Sequence, residues 1–391
     1  LRFEKDTKGG VSEESILGAN FDPGSPPKFT RWHLFGTAGR RALQAQVVMH
    51  KSGYQWTALT VWNRSQGPPL DAAYPALVEP YVGEPFITAQ RELPSEPNET
   101  DALRAVAVEV QTRNGRHDLC FADGRPDRTR SVQAAGGACR IAGEFAFVSR
   151  DAQGLRSAVL TGGTLLETPD LRIALAEREY SGQVTRVDYL NKTFWIDRPW
   201  PAACAGQVLK VQSPGCPTSY TIASVAPEGA GSRIVVTHGA DFYRAPITQV
   251  LSGQRRVDGR LPLPAGRGSI RGMTASNDTL STLWRIERNS GNDFTLEGGE
   301  VREADFAPSN ALRIWEYGVG DRVRLAAWAA VRRTEPNRFE LTGNASFSIS
   351  LKAARLELST DARTWVPAAG PVVEIGAAEL SRGPVAIRVL P

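Results

Sequence analysis

The sequence predicts an all-β protein, with a large antiparallel β-sandwich followed by one or two smaller β-sandwich or barrel domains. Two observations predict this class. Apolar and polar residues alternate along many short segments, which is the period of a β-strand. In the middle of the chain, turn-forming residues separate such segments at intervals of about 8 to 12 residues, as in small barrels and sandwiches. Helical periodicity is scarce, and its best candidate, residues 171–179, is short and mostly alternating.

The chain has 391 residues, which is enough for several hydrophobic cores, and changes in composition divide it into four parts. Residues 1–40 form a predicted extended arm, because Gly and Pro cluster in segments such as Asp22–Pro27. Residues 41–179 form the predicted sandwich and residues 180–310 a small barrel or sandwich. A C-terminal sandwich is predicted for residues 311–391.

Strands follow one another through most of the chain. Alternation predicts strands at residues 43–50 and 56–62, and a hairpin of Glu144–Ser149 with Leu155–Thr161 across the turn Asp151–Gly154. Later strands are predicted at Gln183–Asp197, Gln207–Val211, Ser219–Val225, Ile234–His238, Ile247–Gln254, Leu283–Ile286, Phe294–Leu296, Phe347–Leu351 and Leu356–Leu358.

The charge pattern argues against a nucleic-acid-binding protein. The 46 basic and 42 acidic residues give a net charge of +4 and are interspersed, without a block of five like charges. This pattern indicates a solvated surface rather than a nucleic-acid-binding stripe.

No apolar run approaches the roughly 18 residues of a membrane helix, so we expect no membrane span. The chain begins with Leu1 and lacks signal-peptide features there, which predicts a processed terminus or a fragment.

The four cysteines form two local pairs, Cys120 with Cys139 and Cys204 with Cys216. Each pair brackets a loop that contains Gly or Pro, so we predict a disulfide within each pair, worth roughly 3 kcal/mol. Such bonds predict a secreted, periplasmic, extracellular or cell-surface location. The alternative is four buried thiols in a reducing compartment.

Candidate catalytic residues come from the histidines. His238 precedes Tyr243 and Arg244 in one short segment that also contains Asp241. A base, an acid and a cation are the groups that β-elimination of a uronate requires. His33 is a further candidate, and the alternative for all of these residues is a structural role. No spacing predicts a metal site, and no nucleophile elbow, phosphate-binding loop, dinucleotide fingerprint or HExxH motif is present.

Three segments resemble a known family. They are ALVEPYVGEPFI (76–87), RNGRHDLCFADG (113–124) and GEFAFVSRDAQGLRSAVLTGGTLLETPDLRI (143–173). Together they resemble the β-rich C-terminal part of heparinase II/III-like polysaccharide lyases. The likeness covers roughly residues 40–180 and continues more loosely through Tyr317–Leu325.

The resemblance implies a carbohydrate context. Members of the family join an α/α toroid to a large β-sandwich and cleave acidic polysaccharides by β-elimination, which makes them carbon–oxygen lyases. Their catalytic Tyr and Asn come mainly from the toroid, and a His and any zinc ligands come from the first strands. This chain has no toroid and no His-x-His-x-Asp-like segment, and only His33 lies in that region. No catalytic residue therefore transfers to a matching position, and a structural zinc or calcium ion is implied only by the resemblance.

Three hypotheses follow. The first is the β-sandwich portion or processed subunit of such a lyase, with acidic polysaccharide as ligand and a separate α/α-toroid chain as partner. The second is a non-catalytic carbohydrate-binding or cell-surface structural β-protein. The third is a complete enzyme that uses His238, Asp241, Tyr243 and Arg244.

Overall fold

The computed structural model describes residues 2–6, 28–35, 41–48, 55–62, 75–214, 217–251, 255–259, 270–291, 293–298, 300–352 and 355–390. Within this part of the chain the architecture is all-β and every strand pairing is antiparallel, so the predicted fold class is confirmed. The regular helical elements there are two 3₁₀ turns, Ala202–Cys204 and Glu303–Phe306, and one short helix, α1 (Ala377–Leu380).

Two small sheets contain the first strands. A three-stranded sheet has the order β1 (Arg2–Asp6), β2 (Lys28–Leu34) and β5 (Ala76–Val82). A separate hairpin joins β3 (Arg41–Val48) to β4 (Gln55–Trp62), which confirms the two strands expected there. The predicted arm therefore contributes β1 and β2 to a sheet, Phe35 follows β2, and the rest of it lies outside the described residues.

The large sandwich combines strands from both ends of the chain. Its first part comprises β6 (Ile87–Leu93), β7 (Ser95–Glu96), β8 (Val106–Thr112), β9 (His117–Ala122), β10 (Arg130–Ala134), β11 (Gly137–Asp151), β12 (Gly154–Thr168) and β13 (Leu171–Leu175). Its second part comprises β26 (Trp328–Glu335), β27 (Arg338–Gly343), β28 (Phe347–Leu351), β29 (Arg355–Ser359), β30 (Val366–Pro367), β31 (Val372–Ile375) and β32 (Val385–Leu390).

The strands β11 and β12 belong to both layers of this sandwich. They form the predicted hairpin, in which Asp151 pairs with Gly154. Near that turn the two strands pair with β9 and β26, and at their other ends they pair with β10 and β13. Residues from both halves, such as Phe121 and Ile349, share one buried core. A single hydrophobic interior therefore holds the N-terminal and C-terminal strands together.

Two closed six-stranded barrels separate the two parts of the sandwich. The first barrel contains β14 (Glu179–Asp188), β15 (Thr193–Ile196), β16 (Val208–Gln212), β17 (Pro217–Glu228), β18 (Gly231–Val236) and β25 (Arg322–Ala326). The second barrel contains β19 (Asp241–Leu251), β20 (Arg256–Gly259), β21 (Thr274–Asn277), β22 (Leu283–Ser290), β23 (Asp293–Glu297) and β24 (Ala311–Trp315). Each barrel has a core of its own.

The barrels are nested in the chain rather than placed in series. The second barrel lies between β18 and β25 of the first, and the first lies between β13 and β26 of the sandwich. Strand pairing therefore crosses the predicted division at residues 310–311, because β25 pairs with β14 and β26 pairs with β12. The chain leaves each unit and later returns to it.

The predicted Cys120–Cys139 disulfide is wrong. Cys120 on β9 lies opposite Phe147 on β11, while Cys139 lies eight residues earlier on that same strand. Cys139 lies instead opposite Val132 of β10, so the two cysteines belong to different strand pairings. Both thiols are free, and burial raises the pKa of Cys120 to about 11. Cys204 is also free and buried, and its predicted partner Cys216 lies outside the described residues.

Candidate functional site

A cleft of about 530 Å³ opens between the β5–β6 loop and the turn that joins β8 to β9. Its lining residues are Phe86, Thr112, Arg113, Asn114 and Arg116. The turn is tight because Gly115 adopts a φ of +77°, in the left-handed region that favours glycine. The Phe86 side chain is 42% exposed, so an aromatic ring borders the cleft beside two guanidinium groups.

Arg113 lies on the exposed side of this cleft. Its guanidinium donates from Nη2 to the carbonyl oxygen of Pro85 at 2.7 Å, and Nη1 lies 2.6 Å from the Glu84 carboxylate. The Glu84 side chain is 78% exposed. Exposed ion pairs contribute only about 0–1 kcal/mol, so an anionic ligand can replace Glu84 at little cost.

Arg116 lies deeper, and its Nε is 2.9 Å from the Asp118 carboxylate, which is buried. The Thr112 hydroxyl donates to the side-chain oxygen of Asn114 at 2.6 Å. In the described part of the chain, the Asn114 amide nitrogen has no hydrogen-bond partner. The cleft thus combines an aromatic ring, two cations and an amide donor.

A buried carboxylate supports the cleft from behind. Glu79 is completely buried, and its Oε1 accepts from the backbone N–H of Ile87 at 2.7 Å. Its Oε2 lies 3.1 Å from Nε2 of His33 and 3.5 Å from Nη1 of Arg31. Because a carboxylate oxygen accepts, Nε2 of His33 carries the hydrogen. These bonds anchor the backbone directly after Phe86, at the edge of the cleft.

The predicted candidate His33 is therefore placed inside this cluster rather than at the surface. Its side chain is only 4% exposed and its Nδ1 is buried, with no hydrogen-bond partner among the residues that the structure describes. The imidazole acts on the cleft indirectly, through Glu79 and Ile87. Its assignment as a catalytic residue stays a prediction.

His238 lies in the connection between the two barrels and is exposed. Its ring stacks on Tyr220, with centroids 4.9 Å apart and planes inclined by 22°. The Tyr220 hydroxyl in turn donates to Glu316, and burial raises the pKa of Tyr220 well above its usual range. The aromatic neighbour of His238 is therefore Tyr220 rather than Tyr243.

Tyr243 and Arg244 point to opposite faces of β19, as consecutive strand residues do. Tyr243 packs against the core of the second barrel. Arg244 faces outward and pairs with Asp278, with 2.5 Å between Nη2 and Oδ2, and this hydrogen bond lowers the pKa of Asp278 to about 2. Among the described residues, no hydrogen bond, ion pair or ring contact joins His238, Tyr243 and Arg244, and Asp241 is paired with Arg313 at 3.4 Å.

The zinc or calcium ion implied by the family resemblance finds no matching donor set in the described ranges. No group of three or more His, Cys, Asp or Glu side chains converges there. His33 and Glu79 supply two donor groups, and both are already engaged with each other and with Arg31 and the Ile87 backbone.

The cleft residues were not predicted from the sequence as a site. Arg113, Asn114 and Arg116 occur in one of the family-like segments, and Phe86 in another, 27 residues earlier than Arg113. The sequence feature that could have predicted this site is the pair of arginines that flanks an Asn-Gly turn, because such a turn at the tip of a hairpin brings both side chains close together. The proximity of Phe86 required the fold.

Comparison with protein-family models, curated proteins and solved structures gives no match for this chain. In the described part of the chain, no helix is both long and apolar enough to span a membrane.

Proposed function

We propose that this chain binds acidic polysaccharide, as the β-sandwich portion of a heparinase II/III-like polysaccharide lyase whose catalytic residues lie mostly outside it. The observation that carries the proposal is the cleft in which Phe86 lies beside Arg113 and Arg116. The proposed partner is a separate α/α-toroid chain, and the proposed location is secreted, periplasmic or at the cell surface.

The cleft offers each type of contact that an acidic sugar requires. A planar guanidinium such as that of Arg113 binds a carboxylate or sulfate group through two parallel hydrogen bonds. The ring of Phe86 provides an apolar surface against which the C–H face of a pyranose packs. The free amide N–H groups of Asn114 donate to a hydroxyl or ring oxygen.

Binding is favoured over cleavage as the role of this cleft. His33, the imidazole of the cluster behind it, is buried and committed to Glu79, and Nδ1 of His117, which follows Arg116, lies 3.4 Å from the side-chain nitrogen of Gln111. A general base must come within hydrogen-bond reach of the proton that it removes, and a side chain that is 4% exposed does not present itself to a polymer at the surface.

Affinity electrophoresis in gels that contain heparin, hyaluronan or alginate tests the proposal. We expect retardation by at least one of the three. Replacing Arg113 and Arg116 together by Gln should weaken retardation more than tenfold, since each charge-assisted hydrogen bond contributes about 1.5–3 kcal/mol. Arg332→Gln, an exposed arginine paired with Glu340 on the sandwich, is the matched control and should leave retardation unchanged.

Two results would contradict this function. Absence of retardation by all three polymers, or equal retardation of the double variant and the control, would remove the cleft as a binding site.

A lyase assay on the same chain tests the third hypothesis, that the chain is a complete enzyme. Accumulation of an unsaturated, ultraviolet-absorbing product from the isolated chain would show that it is a complete enzyme, and we expect none.

A further inference from the structure

We propose a second binding site for an acidic pyranoside, on the first barrel, formed by Arg186, Trp195 and Arg233. It extends the proposed function to another part of the chain and rests on the same class of ligand. On β15 the residues on either side of Trp195, Phe194 and Ile196, are buried in the barrel core, so the indole faces outward.

Strand register places an arginine on each side of this indole. Arg186 on β14 and Arg233 on β18 are the directly opposite partners of Trp195. Directly opposite residues of antiparallel strands share a face, with Cβ atoms about 4.5–5.5 Å apart. The outer surface of the barrel therefore carries a row of guanidinium, indole and guanidinium across three strands.

A cleft of about 420 Å³ adjoins this row. The cleft is lined by residues 186–189 and Trp195 from the first barrel and by Leu280 and Leu283 from the second. Leu283 is 42% exposed although it is aliphatic. Aromatic and aliphatic side chains together suit a sugar ring, which presents C–H groups.

Tyr189, in the wall of the cleft, is fixed by two contacts. The Tyr189 hydroxyl donates to the carbonyl oxygen of Tyr317 at 2.7 Å. Its ring stacks on Trp315 at the end of β24, with centroids 4.1 Å apart. A preformed site loses little conformational freedom when it binds, which favours affinity.

The charged side chains of this site determine which class of ligand binds and how the ligand is oriented. Arg186 lies 3.5 Å above the Trp195 ring and 2.9 Å from Glu228, in a pair exposed on both sides. Arg233 is exposed and, within the described ranges, has no ion-pair or hydrogen-bond partner. Asp188 accepts hydrogen bonds from Asn191, which lower its pKa and keep it ionised. The acidic substituent of the ligand therefore binds at Arg233, and its hydroxyl groups donate towards Asp188.

Hydrogen-exchange mass spectrometry of the full chain with a heparin hexasaccharide tests this site. We expect slower exchange at residues 186–196 and 231–236. Arg233→Gln should raise the concentration for half-maximal protection there about tenfold, because it removes one charge-assisted hydrogen bond. Arg322→Gln is the control: it is an exposed arginine on the same barrel whose strand partners are Gln183 and Gln212 instead of a tryptophan.

The outcomes separate this site from the first cleft. Protection at residues 112–116 without protection at 186–196 would overturn the second site and leave the proposed function intact. Protection at 186–196 with none at 112–116 in the unsubstituted chain would support the second site and overturn the first. Protection at neither place would overturn both.

A neutral hexasaccharide, cellohexaose, tests the class of ligand at the second site. We expect it to protect residues 186–196 far less than the heparin hexasaccharide does at the same concentration. Equal protection by the two sugars would show that the arginines do not select an acidic ligand and would overturn the assignment.

Discussion

Individual buried charges hold together segments that are distant in the chain. Arg130 is completely buried, and it pairs with Asp123 at 2.6 Å and with Glu99 at 2.8 Å. Glu79 plays the corresponding role for the first small sheet, where it connects His33 and Arg31 to the backbone of Ile87. A buried charge is tolerated only when it is paired and hydrogen-bonded, so each of these residues constrains the position of its neighbours.

Glu79→Gln should destabilise the region around the first cleft. The substitution removes the buried carboxylate that lies 3.5 Å from Arg31 and 3.1 Å from His33, and losing one partner of a buried pair costs about 3–5 kcal/mol. The local free energy of opening, measured by hydrogen exchange across residues 76–93, should fall by that amount. Glu340→Gln, which breaks an exposed pair with Arg332, should change its own strand by less than about 1 kcal/mol. A similar small effect at both positions would show that the Glu79 cluster does not support the cleft.

Among the elements, the long hairpin of β11 and β12 decides how the sandwich closes. Its register shifts between Ala142 and Gly143, opposite Gly163. A Cβ atom at Gly163 would lie 2.2 Å from the carbonyl oxygen of Ala142 and 2.3 Å from the Cα of Gly143. Both neighbours are backbone atoms of the paired strand, which cannot move aside independently. This irregularity lets one pair of strands serve two layers.

Gly163→Ala should therefore destabilise the sandwich by about 2 kcal/mol, because overpacking forces the backbone of the partner strand to shift. In calorimetry the transition of the sandwich should fall by about 5 °C. Gly370→Ala is a suitable control, since a Cβ atom there would meet nothing within 4 Å. An unchanged transition for Gly163→Ala would mean that β11 and β12 separate at this point without cost.

The molecule as a whole is organised by insertion. The second barrel starts at Asp241 and ends at Trp315, and these two residues are directly opposite each other on paired strands. The entry and exit of the barrel are thus only about 5 Å apart. Because the inserted unit begins and ends at one place, we expect the strands of the first barrel to pair without the insertion.

Replacing residues 242–314 by two glycines should leave the first barrel folded. Asp321 should be changed to Asn in the same variant, because the deletion removes Arg285, the cation 3.0 Å from that buried carboxylate. Exchange protection across residues 184–236 should match that of the full chain. Loss of protection throughout this range would show that the first barrel depends on the second for its stability.

The sequence alone determined the strand content and several individual elements. Alternation is a local property, and it identified the β11–β12 hairpin and the strands at residues 207–211 and 283–286 because each strand buries one face of its own. The likeness to polysaccharide lyases also came from local segments, and it stays a prediction.

Only the tertiary structure decided which strands meet. Sequence proximity suggested a bond between Cys120 and Cys139, yet Cys120 on β9 lies opposite Phe147, Cys139 on β11 lies opposite Val132 of β10, and both thiols are free. It likewise suggested that His238, Tyr243 and Arg244 act together, yet strand alternation and the change of barrel separate their side chains. Phe86 joins Arg113, and Trp195 joins Arg233, through pairings between distant strands. Such contacts form only when sheets and barrels close, and the local alternation of apolar and polar residues does not predict which distant strands pair.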